Sequence, residues 1–206
     1  MSFKFCSSRV FFIRNLKKLI LIFVKISLIN LNKLLKIFTI NCFLDKLVIS
    51  SVQLDMISCN LLNTFIKQEY NIRYLDLSGN QLNSYSLFAI FDNISSNTFL
   101  QYLNLSNLPF GQNDLESFEK KSKLINSLNK FIKNSKNLIH IDLSSSLFHR
   151  QSIYILADTL SKHENLSFIH LEGNQINEGV KKELDTIFNA RKFKYQKFIN
   201  IINENV

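Results

Sequence analysis

Apolar and polar positions alternate most clearly in the eleven residues Ile72 to Leu82, IRYLDLSGNQL. Ile72, Leu75, Leu77 and Leu82 are apolar, and Asn80 stands between the last two. Leu75 and Leu77 are two apart, so they share one face of a short strand, and Asn80 falls where the chain turns out of it. The same frame returns at Leu166, Ile169, Leu171, Asn174 and Ile176, in LSFIHLEGNQI. It returns without the Asn at Leu138, Ile141, Leu143 and Phe148, and at Leu100, Leu103, Leu105 and Phe110. The starts Leu44, Ile72 and Leu100 are 28 residues apart, as are Leu138 and Leu166; the step between Leu100 and Leu138 is 38. One unit therefore carries an insertion of ten residues, placed near 111–123 within the stretch GQNDLESFEKKSK. A step of 28 back from Leu44 reaches Leu16, with Leu19, Leu21, Val24 and Ile26 in frame, which makes six units.

Between the strand frames the apolar spacing becomes helical. It is visible at Leu87, Ile90, Phe91 and Ile94, at Leu124, Leu128, Phe131 and Ile132, and at Ile153, Leu156, Ala157 and Leu160. After Ile176 a longer helical pattern runs through Val180, Leu184, Ile187, Phe188, Tyr195, Phe198 and Ile202. That pattern predicts one capping helix over 177–206, because the last unit of a stack must have its open face covered. Residues 1–43 read as a basic, apolar N-terminal cap plus the first repeat, and 44–176 as repeats.

The pattern L-x-x-L-x-L-x-x-N-x-L on these residues resembles the leucine-rich repeats, and the period with a helical second half resembles their ribonuclease-inhibitor-like class. The resemblance implies an α/β solenoid, with a curved parallel β-sheet on the concave side and helices on the convex side. Only Asn80 and Asn174 keep the family's Asn; Val24, Val52, Leu108 and Ser146 replace it. The segment Ser127 to Phe148 and the phrase LDLSGNQL look like the repeats of the CARMIL group of actin regulators, and tropomodulin repeats are of similar class. Ran-type GTPase activators also share the repeat class, but the acidic C-terminal stretch of those proteins is absent here.

In such a frame the third, fifth and seventh positions point away from the helices. The last four units then present Tyr74, Tyr102, His140 and Phe168 in one row. Asp76, Asn104, Asp142 and His170 form a second row, and Ser78, Ser106, Ser144 and Glu172 a third. Aromatic residues supply large rigid contact area, so Tyr74, Tyr102 and Phe168 read as anchors and Asp76 and Asp142 as specificity elements. The alternative is that stacked aromatics only brace neighbouring strands. Lys18 and Lys46 lie on the aromatic row at its other end, while Ile20, Ile22 and Val48 are expected to be exposed.

The charge of +9 changes this picture at one end only. Residues 1–70 carry ten basic and three acidic side chains, against fifteen and thirteen in the rest. Residues 1–44 carry eight basic side chains and no acidic one. A cap, a mitochondrial targeting segment and a membrane segment around Leu19–Leu35 compete for this stretch. Its charge allows contact with a membrane or nucleic acid, with a solvated basic face as the plain alternative. Cys6, Cys42 and Cys59 are an odd count without a C-x-x-C pair, which argues against a disulfide framework or zinc site and for a cytoplasmic setting. No phosphate loop, metal motif or strained nucleophile turn occurs, so no catalytic residue, cofactor, metal or small-molecule substrate is expected. The expectation is a non-enzymatic module that holds another protein on its concave face, with a cytoskeletal scaffold suggested by the resemblance. A regulator of a GTPase or other enzyme, or a structural subunit of a larger assembly, remain as alternatives.

Overall fold

A computed structural model describes residues 18–22, 28–41, 44–52, 54, 56–68, 71–95, 97–110, 118–189 and 198–200 of the chain. Strands and helices alternate along it. They are β1 (Lys18–Ile22), α1 (Leu28–Asn41), β2 (Lys46–Ser50), α2 (Met56–Gln68), β3 (Tyr74–Asp76), α3 (Ser84–Ile94) and β4 (Tyr102–Asn104). They continue as α4 (Phe118–Asn134), β5 (His140–Asp142), α5 (Arg150–Lys162), β6 (Phe168–His170), α6 (Glu178–Asn189) and β7 (Phe198–Asn200). The strands form one parallel sheet in sequence order. Its register runs Lys46 to Tyr74, Tyr74 to Tyr102, Tyr102 to His140 and His140 to Phe168. Each helix packs against the next.

Alternation along each strand divides the sheet into two faces. Leu47, Leu75, Leu103, Ile141 and Ile169 are fully buried against the helices. Leu77, Leu105, Leu143 and Leu171 form a second fully buried row. Both rows join the helix residues in one continuous core, in which Phe91 lies 6.3 Å from Phe131 and Phe110 lies 4.7 Å from Phe148. Each such side chain contributes about 1.5–3 kcal/mol by leaving water. Where the strand ends, the chain turns through a left-handed residue at Ser51, Gly79, Asn107, Ser145 and Gly173. Two of them are glycines, and both are crowded. A Cβ on Gly79 would lie 2.3 Å from the Ser51 hydroxyl, and one on Gly173 would lie 2.5 Å from that of Ser145.

The next residue holds the turns together. Buried Asn80 donates to the carbonyls of Ile49 and Leu77 and accepts from the amide of Val52. Asn174 donates to Leu143 and Leu171 and accepts from the amides of Ser146 and Phe148. Each amide therefore satisfies its own unit and the one before it, which is why Val52 can be apolar. Ser146 does a smaller version of the same work: its hydroxyl donates toward Leu105 and Ser144 and accepts from the Leu108 amide. The helices after Asn80 and Asn174 start on Asn caps, with Asn83 accepting from the Ser86 amide and Asn177 from the Val180 amide, a contact worth about 1 kcal/mol.

Several expectations are corrected. The single capping helix over 177–206 is replaced by α6, which ends at Asn189, and by β7, whose Phe198 pairs with Phe168. An unpaired β6 edge would expose its backbone groups, and the added strand covers it. The insertion near 111–123 is not all loop, because α4 already begins at Phe118. Its Glu and Lys residues are good helix formers and extend the periodic Leu124–Ile132 segment toward its N-terminus. Val48 is buried rather than exposed, flanked in register by Ile20 and Asp76. Ile20 is exposed as expected, and the partly buried Leu19 and Leu21 pack on the core, so β1 has the phase of a true unit. The alternative of a membrane segment over Leu19–Leu35 fails as one helix, because a strand and a separate helix occupy it. Among the described residues no helix is long and apolar enough to cross a membrane. Leu16, Cys6, Cys42 and the rest of the basic stretch before Lys18 lie outside the described residues; Cys59 is buried in the core on α2.

Candidate interaction surface

The face of the sheet turned away from the helices collects the nine residues read as contacts: Tyr74, Asp76, Tyr102, Asn104, His140, Asp142, Phe168, His170 and Glu172. Each short strand contributes its two flanking positions and buries the central one between them. Parallel pairing without slip brings the third positions of successive units side by side, and their rings stack. The Lys46 ammonium sits 3.5 Å from the centre of the Tyr74 ring. Tyr74 stacks on Tyr102 at 3.9 Å with only 5° between planes. Tyr102 meets His140 at 4.3 Å, and His140 meets Phe168 at 5.7 Å. Lys46 is thus part of the column and not only its basic end. The rings spend their faces on one another and turn their edges outward; Tyr74, Tyr102 and His140 are half-buried and Phe168 is 40 % exposed.

The second row is set by turn chemistry. Asp76 Oδ1 accepts from both the amide and the hydroxyl of Ser78, and Asp142 Oδ1 does the same with Ser144. Asn104 accepts from the Ser106 amide. These contacts explain the Asp-x-Ser and Asn-x-Ser spacing, a side chain bonding its own backbone two residues on. The spacing is visible in the sequence, but its structural meaning is clear only beside the sheet. The Ser50 and Ser78 hydroxyls are 2.9 Å apart across neighbouring units. In the last unit His170 replaces the carboxylate, stacks 4.8 Å from His140 and lies with Nδ1 3.5 Å from Glu172 Oε1.

Electrostatics follow from this crowding. Burial, then a hydrogen bond with Tyr74, pushes the Tyr102 hydroxyl well above the ordinary tyrosine range, so it stays a neutral phenol. Burial, then the neighbouring His170, holds His140 below the ordinary value of 6.5, against the opposing pull of Asp142. The Ser144 hydroxyl donates to Asp142. Among the described residues no three His, Cys, Asp or Glu side chains gather as a metal site would require. The face presents flat aromatic edges, hydroxyls and carboxylate oxygens in rows about 4.8 Å apart.

No family model and no curated protein matches the chain.

Proposed function

We propose that the chain is a leucine-rich-repeat protein of the ribonuclease-inhibitor-like class, and that it works as a non-enzymatic module holding another protein on its concave face. The observation that carries this reading is the open column from Lys46 through Tyr74, Tyr102 and His140 to Phe168, flanked by Asp76, Asn104 and Asp142. A side chain that served only to fill a sheet would not need a half-exposed ring in four consecutive units. The left-handed turn residue and the two Asn side chains that tie successive units support the repeat class. A cytoplasmic setting goes with this reading.

Affinity capture with the whole chain as bait tests it. Proteins retained by the native chain should be lost with Tyr74→Ala/Tyr102→Ala and kept with Ile155→Ala, a substitution on the outer side of α5. Equal capture by all three would put the contact elsewhere. The resemblance to the CARMIL repeats makes an actin-regulatory scaffold the more specific proposal. Recovery of no actin-related protein among the captured partners would sink it.

A further inference from the structure

The chain as a whole and the third to sixth units of its open face carry opposite charge, while Lys46 of the second unit stays on the column. The chain has 25 Lys and Arg against 16 Asp and Glu. The twelve open-face positions of its third to sixth units hold Asp76, Asp142 and Glu172 and no Lys or Arg. Asp76 and Asp142 each commit Oδ1 to a serine turn, and among the described residues neither has a Lys or Arg in ion-pair reach. Glu172 adds a further signal. Its Oε2 is cut off from solvent and has no hydrogen-bond partner, while Oε1 faces His170. A carboxylate oxygen left so is poorly satisfied, and because the side chain is 31% exposed a donor on the open face satisfies it by drawing it outward. Lys46 over Tyr74 shows that the end of the aromatic column takes a cation.

The dimensions select the shape of a partner. The third and seventh positions of one unit are separated by about four strand steps, roughly 13 Å, close to the width of one helix with its side chains. Asp76 and Asp142 belong to β3 and β5, two strands apart, or about 10 Å. Residues seven apart on a helix share a face and are separated by about 10.5 Å.

We infer that the concave face receives a basic amphipathic helix of a partner protein, lying across the strands with Arg or Lys side chains seven residues apart over Asp76 and Asp142. The helix's apolar side rests on the ring edges of Tyr74, Tyr102 and Phe168. A third cation at its end reaches Glu172. This rests on the concave-face reading and names the partner chemistry for it. Nucleic acid and anionic membrane do not fit, because the face would repel their phosphates.

The probe is a labelled Ala- and Leu-based helical peptide with two Arg seven apart, titrated with the whole chain by fluorescence anisotropy. A second peptide has the two Arg nine apart, on opposite sides of the helix, and a third has Glu at both positions of the first. The first should bind at least tenfold tighter than either of the others, and more weakly as salt rises. Asp76→Asn/Asp142→Asn should lower its affinity at least tenfold. That variant keeps the backbone part of its turns, because Asn104 already accepts from the Ser106 amide in β4. Glu172→Gln, outside those turns, should weaken binding several-fold by itself. Unchanged binding by the double variant, together with loss in Tyr102→Ala, would overturn the cationic partner while leaving the face in place. Tight binding unaffected by all of these variants would overturn the concave face itself. Tighter binding of the Glu peptide would reverse the sign and refute the proposal.

Discussion

The two faces of the sheet come from the same strands and follow different rules. In β3, Leu75 is fully buried while Tyr74 and Asp76 on either side of it stay half-buried. Across the units the helix-facing positions repeat one chemistry, Leu47, Leu75, Leu103, Ile141 and Ile169. The open row changes from Lys46 to Tyr74, Tyr102, His140 and Phe168. A buried position must match the volume of the core around it. An open position must suit only its register neighbours and whatever binds, so it can vary. The open rings also stack on one another, so anchoring a partner and bracing the strands are not rival roles. Faces do the bracing and edges are left for contact.

The sharpest way to test that division is Leu143→Ala against Ser144→Ala. Leu143 is fully buried in the core, and its truncation should cost about 2–5 kcal/mol. Ser144 loses one hydroxyl contact to Asp142 at a half-exposed site, worth about 1 kcal/mol or less. Comparable urea midpoints for the two would shift the strand phase by one residue and exchange the faces. Asn174→Ala comes next. It leaves the Leu143 and Leu171 carbonyls and the Ser146 and Phe148 amides without their partner, and should cost about 2–4 kcal/mol. A loss as small as that of Ser144→Ala would mean that the turns do not depend on this side chain.

Tyr102→Ala tests the double role of the open face. Partner affinity should fall by about 2 kcal/mol if the ring is a hot spot. Stability should fall by about 1 kcal/mol, because two ring contacts are lost. A drop in stability with full affinity would leave only the bracing role. The smallest expected effect is on pH dependence. His140 is held below 6.5 in the folded state, so the fold favours its neutral form. Its contribution is complete above 6.5 and is lost as the pH falls through the lowered folded value. Thermal melting of His140→Phe should therefore decline less on acidification than that of the native chain. Parallel pH curves would show that His140 is not the group responsible.

Much of the fold was legible in single residues. The spacing of Leu75 and Leu77 and its recurrence at Ile169 and Leu171 were enough to phase the strands, because burial on one face imposes a period of two. The Leu124–Ile132 and Ile153–Leu160 patterns placed helices for the corresponding reason. The end of the chain was misread because the Tyr195, Phe198 and Ile202 spacing suits a helix, while the β6 edge that Phe198–Asn200 pairs with is far away in sequence. The nine contact residues were assignable to one face from the frame alone, since alternation is local. Their geometry was not.

Local periodicity by itself determined most of the residues that enter the core, where strands and helices alternate up to α6, and which side chains share the open face from β3 to β6, because each follows from burying apolar area along a short stretch. Only the tertiary structure decided that Lys46 rests on Tyr74, that Asn80 and Asn174 serve the preceding unit, that Val48 is covered and that Glu172 Oε2 lacks a partner. Those contacts join residues of different units. They exist because stacking brings units side by side at strand spacing, a distance that no short stretch of the chain encodes.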